Sequence, residues 1–351
     1  MKAMIIDGRK IKAGEKTFII AEMSGNHNHD FNRAVEIIKR AKWAGADAIK
    51  VQTYTPDTIT IDCNNKYFQI NQGTIWDGTT LYKVYKTAYT PWEWQKELKK
   101  IAEDEGLIFF SSPFDNSAVD FLEEIDVPAY KVASFEINDI PFIEYIASKG
   151  KPVIISTGIA RMGDIQDAID ACKRVGNNDI ALLKCTSAYP SPLEDINLKT
   201  IPNMKETFKT IVGLSDHTMG HTVALGGVAL GAKIVEKHLT LRRADGGADS
   251  KFSMEPEEFK IMVDEIRNME KALGKVTYDL TEKQVNSREH SRSLFIIKDV
   301  KEGEIFTSEN VRSIRPGFGL ETKYIKDILG KKANKNIKKG TPMNWKFISN
   351  K

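Results

Sequence analysis

The chain has 351 residues, 41% of them hydrophobic and 28% charged, and its formal net charge is +3. This composition is sufficient for a hydrophobic core and excludes global disorder. The balanced charge gives no sign of a basic surface that binds nucleic acid. Three widely spaced cysteines, no signal-peptide core and no apolar run near ~20 residues predict a soluble cytoplasmic protein that binds no membrane.

The predicted elements begin with a short hairpin over residues 4–11, because Asp7-Gly8 favours a type I′ turn. Apolar runs typical of parallel strands that are covered on both faces follow along the chain. They cover residues 17–22, 47–52, 107–112, 129–134, 152–156, 180–185, 210–214 and 232–238.

Amphipathic helical patterns lie between these strands. The spacing i, i+3, i+4, i+7 recurs at Ala34, Ile37, Ile38 and Ala41, at Ala118, Phe121, Leu122 and Ile125, and at Ile165, Ala168, Ile169 and Cys172. Asp30 suits the N-cap of the first helix, and Pro256 suits the first turn of the last one. The alternation predicts an α/β fold, a closed (β/α)₈ TIM barrel of about 260 residues. An open doubly wound sheet is the weaker alternative, because no GxGxxG follows the first strand.

An insertion interrupts the alternation after the second strand. Residues 53–91 are predicted to be irregular, and such long loops are usually functional or disordered. Aromatic side chains argue against disorder here: Tyr54, Tyr67, Trp76 and Tyr82.

The helix–strand rhythm stops near residue 292, where short segments broken by Gly and charged turns predict a small β-rich domain. We therefore assign residues 1–280 to the barrel with its N-terminal hairpin and residues 292–351 to the C-terminal domain. Residues 281–291, within the polar stretch 274–291, are predicted to link them.

Polar residues cluster at the predicted strand ends, where the active sites of such barrels lie. Lys50 and Gln52 share a face of one strand, and Glu236 and His238 share a face of another. A buried lysine needs an anionic partner, so Lys50 and Lys131 at comparable positions favour an anion site over lysines on the outer face. Hydroxyl donors for such an anion stand at further strand ends: Ser112, Ser134, Ser156, Ser187 and Ser215.

Two histidines end consecutive predicted strands. Adjacent strands lie ~4.8 Å apart, so the imidazoles of His217 and His238 can reach one metal ion. Either histidine alone is more simply explained by a structural role. Two nitrogen donors without a well-placed thiolate suit an open Mn²⁺ or Mg²⁺ site better than structural Zn²⁺.

Three further residues carry two readings each. Glu22, which closes the first strand, is either a salt-bridged rim carboxylate or a group that clamps hydroxyls and moves protons. Asp249 either holds sugar hydroxyls or ends a turn. His27, in the first βα loop, is either structural or part of a substrate loop.

Motifs along the chain resemble those of the sialic acid synthase family. They are FIIAEMSGNHN, AGADAIKVQTYTPDT, FSSPFD, AYKVASFEIND, VIISTGIA, LLKCTSAYPSP, VGLSDHTMGH, IVEKHLT and RSIRPGFGL. KVQTYTPDT, TIWDGTTLYKVYKTAYTPWEW and FSSPFD are more similar to the pseudaminic acid synthase branch than to the N-acetylneuraminate branch.

The resemblance implies a TIM barrel followed by a small antifreeze-like (SAF) domain. It also implies a transferase that joins phosphoenolpyruvate to an amino-sugar aldehyde and releases phosphate by C–O cleavage. In the pseudaminic branch the acceptor is 2,4-diacetamido-2,4,6-trideoxy-altrose. The family further implies a divalent ion at His217 and His238, and a homodimer with exchanged domains in which Arg315 of the partner subunit completes the site.

The resemblance implies roles for the other site residues. Lys50 and Lys131 contact phosphoenolpyruvate together with Ser112, Ser134, Ser156 and Ser215. Gln52 lies beside the nascent product, Glu22 assists proton transfer, and Tyr189 and Asp249 line the sugar side. Ser187 replaces an Asn common in N-acetylneuraminate synthases, which puts that contact in doubt, whereas Ser112 keeps the hydroxyl of their STP motif.

Other functions are compatible with the same residues. An N-acetylneuraminate or legionaminic acid synthase would differ only in its acceptor sugar. A Schiff-base nonulosonate lyase would use Lys131 or Lys50 as its nucleophile. A non-catalytic sugar-binding protein is the remotest alternative, because the lysines and histidines are retained.

Overall fold

In the computed structural model, residues 3–71, 73 and 75–349 are described. The chain divides into two units, one that ends at Gly274 and one that starts at Lys275. The first unit begins with the predicted hairpin, in which β1 (Met4–Ile6) pairs antiparallel with β2 (Arg9–Ile11). Asp7 and Gly8 both have positive φ, as a type I′ turn requires.

Eight parallel strands close into the predicted TIM barrel. In chain order they are β3 (Phe18–Glu22), β4 (Ala48–Thr53), β5 (Ile108–Pro113), β6 (Tyr130–Val132), β7 (Val153–Ser156), β8 (Ile180–Cys185), β9 (Ile211–Asp216) and β10 (Ile234–His238). Each strand pairs with its neighbours in sequence, and β10 closes the barrel against β3. All eight predicted strands are therefore confirmed, and their carboxyl ends meet at one rim.

Helices follow the strands and cover the barrel. They are α1 (Phe31–Trp43), α4 (Trp92–Asp104), α5 (Asn116–Glu124), α6 (Ile140–Ser148), α7 (Met162–Arg174), α8 (Thr200–Phe208), α9 (Thr222–Ala229) and α10 (Pro256–Leu273). The Asp30 side chain caps α1 by accepting hydrogen bonds from the backbone N–H groups of Asn32 and Arg33. Pro256 occupies the first turn of α10, as predicted.

The insertion 53–91 is more regular than predicted, because it contains the short helices α2 (Pro56–Ile59) and α3 (Leu81–Ala88). The Thr80 side chain caps α3 by accepting from the N–H of Lys83. Tyr54, at the start of the insertion, is only 2% exposed. The insertion is therefore packed at Tyr54, and the expected irregular structure is found outside the two helices.

The second unit has its own apolar core, to which the antiparallel strand pair β11 (Ser293–Ile296) and β12 (Val311–Ile314) and the short helix α12 (Ile325–Ile328) contribute. The predicted linker 281–291 contains helix α11 (Glu282–Ser287), and its side chains are exposed. Across both units, no helix in the described part of the chain is long and apolar enough to cross a membrane.

Candidate active site

A cavity of about 600 Å³ lies at the carboxyl ends of the barrel strands. Its floor is built from Lys50, Lys131 and Glu236, and Glu22 lies next to Lys50. The side chains of all four residues are at most 5% exposed. Because an unpaired buried charge is costly, each of the two ammonium groups and two carboxylates needs an opposite charge beside it.

Lys50 connects the two carboxylates. Its Nζ pairs with Glu22 Oε2, lies 3.8 Å from Glu236 Oε2, and donates to Ser112 Oγ at 3.1 Å. Burial lowers the pKa of Lys50 less than Glu22 and Glu236 raise it, so this lysine stays charged. Burial raises the pKa of Glu22 in spite of Lys50.

Lys131 forms the second cationic point of the floor. Its Nζ donates to Ser156 Oγ at 2.6 Å and lies 3.9 Å from Glu236 Oε1. Burial lowers the pKa of Lys131, while Lys131 and Lys50 together hold the pKa of Glu236 below its ordinary value against the effect of burial. The arrangement can accept a ligand that carries two negative groups.

The predicted hydroxyl groups also line this cavity. In β5 only one of two adjacent serines faces the cavity, because side chains alternate along a strand. Ser112 lines the cavity, whereas Ser111 Oγ lies 2.6 Å from Thr53 Oγ1. Ser187 Oγ is buried and has no hydrogen-bond partner among the residues described. The other predicted serines that line the cavity are Ser134, Ser156 and Ser215.

His217 and His238 lie side by side, with ring centroids 5.3 Å apart. His217 Nδ1 lies 3.3 Å from the Thr186 carbonyl oxygen, so it donates there and leaves Nε2 free to bind. His238 Nδ1 is buried without a hydrogen-bond partner in the described part of the chain. Burial lowers the pKa of His238 well below its ordinary value, which keeps this imidazole neutral.

This donor set fits an open metal site. An orphaned, neutral imidazole nitrogen next to a second imidazole is what a divalent cation requires. Among residues 3–71, 73 and 75–349, no group of three His, Cys, Asp or Glu side chains could hold an ion by itself. Water or substrate atoms would therefore complete the coordination.

Asp249 and Tyr189 form the side of the cavity next to the imidazoles. Asp249 Oδ2 accepts from Ser24 Oγ and lies 3.9 Å from His238 Nδ1. The ring of Tyr189 lies 4.6 Å from that of His217. Gln52 also lines the cavity and donates from Nε2 to Glu22 Oε1 at 3.2 Å. The structure thus gathers the predicted sugar-side residues around one space.

The insertion supplies an apolar wall to the same cavity. Trp76 donates from Nε1 to the Ala248 carbonyl oxygen at 2.9 Å, which ties the insertion to the loop after β10. The predicted aromatic residues Tyr54, Tyr67 and Trp76 line the cavity, but Tyr82 does not and instead contacts Asp57. We call the following set the insertion wall: Ile59, Ile70, Leu81, Val84, Tyr85 and Ala88.

Sequence reasoning missed several residues of this site. Glu136 lines the cavity, its Oε2 has no hydrogen-bond partner in the described chain, and burial raises its pKa to about 7. Phe252 packs against both imidazoles, with centroid distances of 5.9 and 4.9 Å. Ser24 also lines the cavity. These residues lie in one-turn helices or loops after strands, where no periodicity marks them.

Two residues that the sequence analysis named are not among those that line the cavity. Arg315 follows β12 in the second unit, and its role stays a prediction. His27 is fully buried and is absent from the cavity lining. The N–H of His29 donates to His27 Nδ1 at 3.1 Å, so Nε2 carries the proton and donates to Thr90 Oγ1 at 3.2 Å. These contacts favour the structural reading of His27.

We expect His27 to make the fold sensitive to acid. Burial lowers its pKa from 6.5 to about 4, so the unfolded chain binds a proton first as the pH falls. Its contribution is complete above pH 6.5 and is lost towards pH 4, by about 3 kcal/mol in the free energy of unfolding. Urea denaturation of wild type and His27→Gln from pH 7.5 to 4.5, followed by Trp fluorescence, measures it.

The control for this prediction is His290→Gln, which removes an exposed histidine from the second unit. It should keep the wild-type dependence of stability on pH, whereas His27→Gln should be less stable at pH 7.5 and lose less on acidification. Equal pH dependence in wild type and His27→Gln would contradict the prediction.

Comparison with known proteins agrees with this geometry. Residues 37–278 match the model of the NeuB family, and residues 291–349 match that of the SAF domain. The chain is 48% identical over 326 residues to a pseudaminic acid synthase of Campylobacter jejuni subsp. jejuni, covering 93% of this chain and 95% of that protein. It is 45% identical to the pseudaminic acid synthase of Helicobacter pylori, covering 93% and 96%.

A solved structure shows the same architecture. It is the N-acetylneuraminic acid synthetase of Leptospira borgpetersenii, with a TM-score of 0.73 and 31% sequence identity. The match covers 82% of this chain and 95% of that one.

Proposed function

Because the chain belongs to the NeuB family, we propose that it is a transferase that makes pseudaminic acid. It condenses phosphoenolpyruvate with 2,4-diacetamido-2,4,6-trideoxy-altrose and releases phosphate. One observation carries the proposal: the buried ammonium groups of Lys50 and Lys131 face the same cavity as the imidazoles of His217 and His238. The 48% and 45% identities to pseudaminic acid synthases support this acceptor.

Phosphoenolpyruvate binds to the charged floor. Its phosphate and carboxylate are neutralised by Lys50 and Lys131 and accept from Ser112 and Ser156, whose hydroxyls already contact the two ammonium groups. Glu236, between the lysines, raises the pKa of both and so favours their charged forms before the donor arrives. The floor thereby holds the enol carbon within attack distance of the acceptor.

The carbon–carbon bond forms when C3 of the enol attacks the aldehyde carbon of the open-chain sugar. Positive charge develops at C2, and water adds there. The C2–O bond to phosphate then breaks, so phosphate leaves with the bridging oxygen and the new keto oxygen comes from water. Glu22, beside Lys50, is the group that we assign to take one proton from this water. That proton passes to the alkoxide that the aldehyde oxygen becomes when the carbon–carbon bond forms, and the second water proton leaves with the phosphate.

The proposal includes Mn²⁺ or Mg²⁺ held by His217 and His238. When bound, the ion supplies a Lewis acid for the aldehyde oxygen and a template for the sugar. Asp249 and Tyr189, beside these imidazoles, orient the sugar hydroxyls. The insertion wall suits the methyl groups of the two acetamido substituents and the 6-deoxy carbon, since apolar surface favours contact with such groups.

The assembly and the location are part of the same proposal. A homodimer would bring Arg315 of the partner subunit to the cavity, where its guanidinium could bind an acetamido carbonyl oxygen. The cytoplasm is the compartment in which phosphoenolpyruvate would be available. The family resemblance supports both statements.

The test is product formation from three aldehydes in separate reactions. The full-length protein receives phosphoenolpyruvate with the altrose-type acceptor, with its legionaminic counterpart or with N-acetylmannosamine. We expect phosphate release and the nonulosonate mass, with kcat/KM at least ~100-fold higher for the altrose type. Reactions without the protein provide the background rate.

Three other results of this experiment would change the proposed function. Preference for another aldehyde would overturn the acceptor but keep the synthase. Absence of phosphate release with all three would overturn the synthase. Trapping of pyruvate on a lysine by borohydride, without phosphate release, would support the Schiff-base lyase instead.

A further inference from the structure

A buried ion pair lies directly behind the two imidazoles. Asp216 precedes His217 at the end of β9, and Lys237 precedes His238 at the end of β10. The two residues are register partners across the neighbouring strands. Lys237 Nζ lies 2.7 Å from Asp216 Oδ2, and both side chains are 0% exposed. Because side chains alternate along a strand, this pair lies on the face opposite to the cavity.

The pair also holds the residue that follows His217. Asp216 Oδ1 accepts from the backbone N–H of Thr218 at 2.9 Å and from Thr218 Oγ1 at 2.8 Å. Lys237 Nζ donates to the Thr218 carbonyl oxygen at 2.6 Å. The backbone on both sides of His217 is therefore tied to the strand that carries His238.

Stability alone does not explain a charge pair at this place. Two charges removed from water gain little net free energy, and apolar residues of similar volume often replace such a pair without loss. Apolar residues cannot reproduce the directional hydrogen bonds of this pair. Its four contacts hold the ends of the two strands in one relative position. That arrangement sets the 5.3 Å between the imidazole centroids.

The structure assigns Asp216 and Lys237 as positioning residues that set the separation of the two imidazoles and thereby the affinity for the divalent cation. The inference rests on the metal site of the proposed function. Neither residue touches the cavity, so each acts through the histidine next to it. The expected size of the effect is that of other groups that orient metal ligands, about 10- to 100-fold in metal affinity.

The experiment measures Mn²⁺ binding to the full-length, EDTA-treated protein by titration calorimetry. Asp216→Asn with Lys237→Met removes both charges and keeps similar volumes, so we expect a near-wild-type melting temperature and a Kd raised about 10- to 100-fold. Arg267→Met is the matched control, because Arg267 pairs with Asp47 and Glu270 away from the cavity. It should leave the Kd for Mn²⁺ unchanged.

The outcomes separate this inference from the proposed function. An unchanged Kd in the folded double variant overturns the inference alone, whereas absence of Mn²⁺ binding to wild type overturns the inference together with the metal site. If the double variant does not fold, Lys237→Arg retains the charge with a wider head group. Weaker Mn²⁺ binding at the wild-type melting temperature then supports the inference, and unchanged binding overturns it.

Discussion

Replacing Lys131 by Met is expected to lower kcat/KM for phosphoenolpyruvate by about 100- to 1,000-fold. Truncation of one partner of a buried charge pair costs about 2–5 kcal/mol, and each 1.4 kcal/mol is about tenfold in rate. The loss falls on the donor, because Lys131 contacts Ser156 on the cavity floor. Glu236 would lose one of its two lysine neighbours and would repel the incoming phosphate.

Steady-state phosphate release at varied phosphoenolpyruvate concentrations measures this effect. Lys151→Met is the matched control, since Lys151 pairs with Glu123 and Asp126 before the start of β7, away from the cavity. It should retain the wild-type kcat/KM. Phosphate release by Lys131→Met within tenfold of wild type would show that the donor does not bind on this floor.

Removal of divalent cations is expected to lower phosphate release by about 1,000-fold, because a Lewis acid contributes several kcal/mol to such a step. Added Mn²⁺ should restore the wild-type protein. It should not restore His238→Asn at the same concentration, since that variant loses one of two neighbouring imidazoles. Dialysis against EDTA, followed by titration with Mn²⁺ in the phosphate-release assay, measures both effects.

A histidine outside the cavity serves as the control for this experiment. His221 precedes α9 and does not line the cavity, so His221→Asn should recover with Mn²⁺ as wild type does. Full activity of the EDTA-treated wild type, with no metal detected in the protein, would contradict the assignment of a metal ion to His217 and His238.

The barrel could be predicted from sequence because its strands are nearly continuous apolar runs with polar residues at their ends. A side chain such as Lys50 or His238 could be assigned to the cavity once the strands were known, since alternation decides its face. Ser112 shows that a resemblance adds to this argument, because two adjacent serines end β5 and only one faces the cavity. The strands and the faces of their residues were therefore predictable, whereas the choice between Ser111 and Ser112 depended on the resemblance.

The remainder of the site depends on chain segments without a repeating pattern. Glu136 and Phe252 come to the cavity through one-turn helices whose direction is set by tertiary packing. Helix α3 did leave a signal, because Leu81, Val84, Tyr85 and Ala88 have helical spacing. The apolar face of this helix lines the cavity, so the same pattern marks part of the insertion wall. In the proposed homodimer, Arg315 of the partner subunit would complete the site, and no local pattern in one chain predicts such an assembly.

The charged floor of the cavity and the insertion wall belong to different parts of the chain. This separation has an evolutionary consequence. In the proposed function, the side chains that bind phosphoenolpyruvate lie on strands that the whole barrel needs, so substitutions at those positions would threaten folding as well as catalysis. Ten of the thirty residues that line the cavity come from one continuous stretch, residues 53–91. A lineage could therefore exchange that stretch and acquire a new sugar while its condensation chemistry stays intact, and a laboratory graft of the same stretch would follow the same route.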